Sequence, residues 1–202
     1  MTVYNMVRLA SDLGFSDEKL YITRERGEQA YPLLATMLRV IPEGNPLVLV
    51  FPSGQLIDGS FADESIIRLG EQIVRDEFGE RCILLQGLST DSVVNIEAMV
   101  SYGPAKLAFL MVEPTGAWRC IGQIEPSLAE TLELVAARES LTAPELAKLT
   151  GLAINSASNR LKRLYDQKLV RRQHDISEKG LQYIYRFWTW TDHLDGVEDK
   201  ET

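Results

Sequence analysis

The segment 141–172, LTAPELAKLTGLAINSASNRLKRLYDQKLVRR, constrains the fold more than any other part of the chain. Thr142 and Glu145 have the spacing of a capping box, which predicts a helix that begins at the next residue, Ala143. Gly151 indicates where this helix ends, because helices often finish on a residue in the left-handed conformation. A second helix is predicted from about residue 154, followed by a strand. The segment therefore predicts two short helices joined by a tight turn.

The second predicted helix has one apolar face and one polar face. Ala157, Leu161 and Leu164 recur at helical spacing and form an inward stripe. The remaining positions carry amides, hydroxyls and cations: Asn155, Ser156, Ser158, Asn159, Arg160, Lys162 and Arg163. Such a face suits the major groove of DNA, where Asn pairs with adenine and cations take guanine or phosphate. The alternative is that these residues form only the solvated face of an amphipathic helix.

The sequence around this segment predicts a further helix and a hairpin. Ser127 and Glu130 have the spacing of a second capping box, ahead of an apolar helical stripe. The runs RRQHDISEKG and LQYIYRFWTW predict two strands around a turn. Cations and a histidine surround that turn, where they could reach a phosphate or the minor groove: Arg171, Arg172, His174 and Lys179. The tip of a β-hairpin is polar in any case, so these residues support DNA binding but do not by themselves indicate it.

Residues 127–190, with SNRLKRL between GL and LVRR, resemble the winged helix-turn-helix domain of bacterial transcriptional regulators. The resemblance implies a module that binds double-stranded DNA, usually as a homodimer. Some winged helices have instead become protein-docking modules, and that alternative stays open. The charge distribution fits DNA: the net charge is -8, yet 141–188 holds nine Lys or Arg against four Asp or Glu. A basic module on an acidic body is expected when only one domain meets phosphates.

The first half of the chain alternates predicted helices and strands. Predicted strands include Leu47–Phe51, Cys82–Gln86 and Lys106–Val112, and helices are predicted before, between and after the first two. MVRL, at residues 6–9, is a candidate edge strand. The alternation predicts an α/β layer fold with a largely parallel or mixed sheet.

LVLVFPSGQLIDGSFADES, with SFADE at residues 60–64, resembles the STAS-like family, a bacterial relative of the anti-sigma-factor-antagonist domain. The resemblance covers residues 17–113 and implies an α/β sandwich layer domain that senses a signal, docks a partner or dimerises. Related antagonists carry a phosphorylatable serine at the start of this helix, which makes Ser60 a candidate phospho-switch. The alternative is that Ser60 is only the N-cap, partnered by Asp63.

The predicted organisation has two domains: 1–113, a STAS-like α/β domain with an N-terminal extension at 1–16, and 127–190, the winged helix-turn-helix. A linker at 114–126 joins them, and an acidic tail spans 191–202. On these boundaries, a fragment from residue 125 to 192 is expected to fold alone. Cys82 and Cys120 lack metal or redox spacing, which predicts buried free thiols in a reducing cytoplasm.

Neither a membrane span nor a secretory signal is recognisable, which predicts a cytoplasmic protein without membrane contact. Motifs for hydrolase nucleophiles, nucleotide phosphates, dinucleotides and zinc are also missing from the sequence. We therefore expect no catalytic residues, no metal site and no cofactor, and predict a DNA-binding transcriptional regulator that is not an enzyme. The alternative is a partner-switching protein whose STAS-like domain docks a histidine-kinase-like ATPase and whose winged helix docks protein.

Overall fold

The computed structural model describes residues 2–15, 17, 20–103, 105–177 and 180–190. The strands are β1 (Thr2–Asn5), β2 (Leu20–Tyr21), β3 (Pro46–Val50), β4 (Leu56–Ile57), β5 (Cys82–Gln86), β6 (Ala108–Val112), β7 (Trp118–Gly122), β8 (Ser140–Thr142), β9 (Arg171–Ser177) and β10 (Gly180–Arg186). The helices are α1 (Met6–Asp12), α2 (Arg24–Val40), α3 (Gly59–Ala62), α4 (Arg68–Val74), α5 (Thr90–Tyr102), α6 (Pro126–Ala137), α7 (Ala143–Thr150) and α8 (Ile154–Asp166). A π-helical turn, Asp63–Ile67, joins α3 to α4.

A five-stranded mixed sheet of order β1-β3-β5-β6-β7 forms the centre of the chain. The first four strands run parallel, and β7 pairs antiparallel with β6 at the edge. The predicted mixed α/β sheet is therefore confirmed. A three-stranded antiparallel sheet of order β8-β10-β9 and a small parallel pair of β2 with β4 complete the strand pairing of the described residues.

The central sheet is buried on both faces. Alternate side chains of a strand point to opposite faces, so Leu49 and Leu85 join the core formed with α2, α3, α4 and α5. Val48, Leu84 and Leu110 belong to a second core, shared with apolar side chains of α6, α7, α8 and the segment after β10. We call residues 2–122 the N-terminal unit and residues 126–190 the C-terminal unit. The two units share one continuous apolar core across the second face of the sheet.

The two short helices and the tight turn predicted for residues 141–172 are present, as α7 and α8. Glu145 N–H donates to Thr142 Oγ1, and the Thr142 N–H donates to Glu145 Oε2 at 2.8 Å, so both halves of the capping box form. The Thr142 hydroxyl donates to Glu145 Oε2 at 2.7 Å, and this bond, followed by the one from Thr142 N–H, holds the pKa of Glu145 below its usual range. Gly151 has φ 72°, in the left-handed region. Ala157, Leu161 and Leu164 of α8 are all buried.

The segment 114–126 was predicted to be a linker, but it contains strand β7. Ile121 of this strand is buried beside Phe109, its register partner on β6. Residues 114–122 of the segment therefore belong to the N-terminal unit. MVRL was also assigned wrongly, since these residues belong to α1, which Asn5 caps by accepting a hydrogen bond from Val7 N–H.

Helix α6 does not begin with the predicted Ser127–Glu130 capping box. It begins at Pro126, with Glu125 as an N-cap residue that makes no side-chain capping bond. Proline is favoured at the first helical position because its fixed φ already suits a helix. An N–H at this position would have no partner within the helix, so its absence costs no hydrogen bond. The helix therefore starts one residue before the predicted hydroxyl cap.

Asp58, rather than Ser60, is the N-cap of α3. Phe61 N–H donates to Asp58 Oδ1 at 2.7 Å, and the second oxygen of Asp58 accepts from Thr23 N–H at 3.1 Å. Ser60 is exposed in the first turn. The proposed cap pairing of Ser60 with Asp63 is therefore wrong, because an aspartate two residues earlier already satisfies the orphan amides.

We expect Asp58→Ala to lower the free energy of unfolding by about 1–2 kcal/mol, because an N-cap hydrogen bond and the bond from Thr23 are both lost. Ser60→Ala should change it by about 0.5 kcal/mol or less, as for other exposed positions. Urea denaturation of the two variants checks this. An equal or larger loss for Ser60→Ala would contradict the cap assignment.

Candidate nucleic-acid interface

The exposed stripe of α8 is the candidate surface for base contacts. Asn155, Asn159 and Lys162 are exposed and lie at helical spacing on one side of the helix. Ser156 is exposed beside them, and Ser158 is half-buried. Asp166 ends the stripe and accepts a hydrogen bond from Lys162 Nζ at 2.6 Å. The stripe is thus rich in amides and hydroxyls, and its one lysine is paired with a carboxylate.

The two arginines of α8 point to the start of α6. Arg163 Nη2 lies 2.5 Å from Glu125 Oε1, and Arg160 Nη1 donates to Ser127 O at 3.4 Å. Lys106 Nζ lies 3.5 Å from the same oxygen of Glu125. The hydrogen bond from Arg163 is the main reason that the pKa of Glu125 is lowered. Both arginines, which were predicted to contact DNA, pair in the structure with residues at the start of α6, and Arg163 stays exposed.

The hairpin of β9 and β10 places its predicted residues on two different sides. Arg172 lies over the rings of Tyr165 and Tyr183, at 4.1 and 4.5 Å from the ring centroids. His174 packs edge-on against Tyr183, on the same side as Arg172. Arg171 points to the other side, as alternation along a strand requires. Lys179 lies outside the described residues.

The C-terminal end of α8 is fixed to the N-terminal unit. Tyr165 Oη donates to Glu80 Oε1 at 2.8 Å. Burial, together with this carboxylate, raises the pKa of Tyr165 to about 12, so the phenol stays a donor at neutral pH. Lys168, whose side chain is 5% exposed, donates to Asp76 Oδ1 at 2.6 Å and to Gly79 O at 3.0 Å. The position of α8 therefore depends on the loop between α4 and β5.

Sequence inspection did not find these contacts. The acceptors Asp76 and Glu80 precede their partners by 92 and 85 residues, so no local spacing links them. A weak signal is Lys168 itself, a lysine directly before the apolar pair Leu169 and Val170, which are both buried. The partners of a buried lysine can be identified only from the three-dimensional structure.

The two cysteines are not paired with each other. Cys82 is buried, Cys120 is partly buried, and burial raises the pKa of both thiols, that of Cys120 to about 12. Within the described ranges, no group of three or more His, Cys, Asp or Glu is placed to hold a metal ion. In the same part of the chain, no helix is both long and apolar enough to cross a membrane.

Comparison of the chain with protein-family models and with curated proteins returns no match. The structure therefore carries the functional argument. Its central feature is an exposed amide-rich helix that packs against α6 and α7.

Proposed function

We propose that the chain is a DNA-binding transcriptional regulator, with a STAS-like N-terminal unit and a winged helix-turn-helix C-terminal unit. The observation that carries this proposal is the exposed stripe of Asn155, Asn159 and Lys162 on the second helix of a helix-turn-helix. A hairpin lies beside that helix, as the wing does in the winged-helix arrangement. α8 would enter the major groove with this stripe facing the base edges.

Asn159 is the residue we assign to direct base readout, because its amide can donate and accept at once on an adenine edge. Lys162 would exchange Asp166 for a phosphate, an exchange that costs little because both side chains are about half exposed. Arg172 and His174, which lie on the same side of the hairpin, would contact the phosphate backbone of the DNA. Arg163 is about as exposed as Lys162 and would exchange Glu125 for a phosphate in the same way, whereas Arg160 is partly buried beside Ser127.

The N-terminal unit would hold α8 in place and receive the regulatory signal. Tyr165 and Lys168 connect α8 to Glu80 and Asp76 of that unit, so a partner or signal that moves this loop would move α8. The proposal assigns no catalytic step, no metal and no cofactor to the chain. A homodimer is part of the proposal, because one recognition helix spans only a few base pairs and two half-sites raise specificity.

Asn159→Ala is expected to weaken binding to a DNA site selected from genomic fragments by about 1–3 kcal/mol, and to relax the base preference at one position. The melting temperature should stay unchanged, since the side chain is exposed. Asn45→Ala, in the turn before β3, is a matched control that removes an amide outside α8. Gel shift with the selected site gives the affinities. Equal affinity for Asn159→Ala and the control would refute the assignment of α8.

A second candidate function is a partner-switching module in which both units dock protein, including a histidine-kinase-like ATPase. It is favoured by the pairing of Lys162, Arg163 and Lys168 with carboxylates of the same chain. Ser60 stays a candidate phosphorylation site under this function because its side chain is exposed. Opposite changes in partner affinity for Ser60→Asp and Ser60→Ala, both well folded, would support this candidate over DNA reading.

A further inference from the structure

A cleft of about 450 Å³ opens between the two units, away from the base-reading stripe. Its walls come from β7, the ends of the hairpin and the segment after β10. They include Trp118, Arg171, Arg186, Phe187, Trp188 and Trp190. Small-molecule sites in proteins have volumes of roughly 300–1,000 Å³ and combine apolar walls with a few polar groups. The cleft has the size of such a site, and its lining mixes charged, polar and aromatic residues.

Two arginines on neighbouring strands line this cleft. Arg171 of β9 and Arg186 of β10 are direct register partners in the antiparallel pair. Like charges at opposed positions destabilise a sheet. Among the described residues, neither guanidinium forms a salt bridge, although Glu139 lines the same cleft. Against these two arginines the described lining of the cleft has one carboxylate, Glu139, so the lining keeps a net positive charge.

Arg171 also has an unmet hydrogen-bonding group. Its Nε is buried and has no hydrogen-bond partner in the described structure, whereas Arg186 Nε donates to Gln173 Oε1 at 2.8 Å. Buried polar atoms in native proteins nearly always have a partner. An anion in the cleft would balance the guanidinium charges. Arg171 Nε itself is closed to solvent, so an anion would accept its N–H only after the side chain moves.

Four aromatic residues line the cleft beside Gly116, Ala136, Glu139 and Thr189. Three of the four, Phe187, Trp188 and Trp190, are at most 7% exposed. Trp118 and Phe187 have ring centroids 4.8 Å apart, and Phe187 and Trp190 have centroids 5.7 Å apart. The indole N–H groups of Trp188 and Trp190 already donate to Lys168 O and Glu113 O, each at 3.0 Å. These two indoles therefore offer the cleft only their apolar rings, which suit a flat apolar ligand.

We propose that this cleft binds a small aromatic carboxylate. The carboxylate would accept hydrogen bonds from the forked guanidinium of Arg171 and neutralise the opposed Arg186. The ring of the ligand would lie against the aromatic wall formed by Trp118 and Phe187. This site is independent of DNA binding, so either proposal can fail without the other.

Intrinsic tryptophan fluorescence of the full chain tests the proposal directly, because all three tryptophans of the sequence line the cleft. Titration with benzoate should give a saturable fluorescence change and a raised melting temperature. Acetate lacks the ring and benzylammonium lacks the anion, so each should need at least roughly tenfold higher concentration for the same effect. No saturable response to benzoate, or equal responses to all three probes, would overturn the proposal.

Arg171→Gln should weaken benzoate binding roughly tenfold or more, because a charge-assisted hydrogen bond is lost. Lys148→Gln removes an equal charge from an exposed position on α7 and should leave the benzoate affinity unchanged. Arg171→Lys keeps the charge without the fork and should fall between the two. Wild-type affinity in Arg171→Gln would overturn the role of Arg171. If Arg171→Gln does not fold, the benzoate affinity of Arg171→Lys is compared with that of Lys148→Gln. Equal affinities would overturn the role of Arg171.

Discussion

A fragment of residues 125–192 is expected to remain unfolded when it is produced without the rest of the chain, contrary to the expectation from the sequence boundaries alone. Leu128, Leu132 and Trp188 belong to the core that includes Leu84 and Leu110 of the central sheet. Removing the sheet would expose these side chains to water, at about 25 cal/mol for each Å² of apolar surface exposed. A small domain has only a few kcal/mol of stability to lose.

Circular dichroism and thermal melting compare this fragment with the full chain. We expect a cooperative melt for the full chain and none for the fragment. Mixing the fragment with a separately produced 1–124 chain should restore helical signal if the shared core forms between them. A fragment that melts cooperatively within a few degrees of the full chain would contradict the shared core.

The second large effect is expected for Leu110→Asp, which should lower the free energy of unfolding by about 4 kcal/mol or more. Leu110 is 1% exposed, on the sheet face that the C-terminal unit covers. An aspartate there would be buried without a partner, one of the most destabilising changes known.

Val3→Asp is the matched control, because Val3 lies on edge strand β1 of the same sheet and is 50% exposed. Its cost should be about 1 kcal/mol or less. Urea denaturation measures both variants. If Leu110→Asp were as mild as Val3→Asp, the second face of the sheet would be open to water, and the C-terminal unit would not rest on it.

Short-range signals predicted the elements of the C-terminal unit well. The capping box needs only Thr142 and Glu145, three residues apart, and the buried stripe of α8 repeats within one helix. Both signals are local, so neither depends on the rest of the chain. The same holds for the buried strands β3, β5 and β6, whose apolar runs are continuous.

The predictions from sequence were wrong where two local signals compete for a helix start, or where distant contacts determine the secondary structure. Ser60 and Ser127 both suit an N-cap, but Asp58 and Pro126 begin their helices earlier. β7 was predicted as linker because only its pairing with β6 makes it a strand. The sequence of residues 114–126 alone does not indicate this pairing.

The predicted DNA-contact residues divide for a similar reason. Asn155, Asn159 and Lys162 lie on the exposed face that helical spacing predicted. Arg163 binds Glu125, which precedes it by 38 residues, and Arg171 lines the cleft. Residue type marked all of them as polar or basic, but only the tertiary structure tells which side each one faces.

The salt dependence of DNA binding by the full chain tests the central claim most directly. With the selected site, the logarithm of the binding constant should fall linearly with the logarithm of salt concentration, by about 0.9 for each phosphate contact. Lys162→Met should make the slope shallower by about one unit. Asn159→Ala should lower the affinity but leave the slope unchanged. A binding constant that does not vary with salt, or no preference for any DNA fragment, would contradict DNA reading by α8.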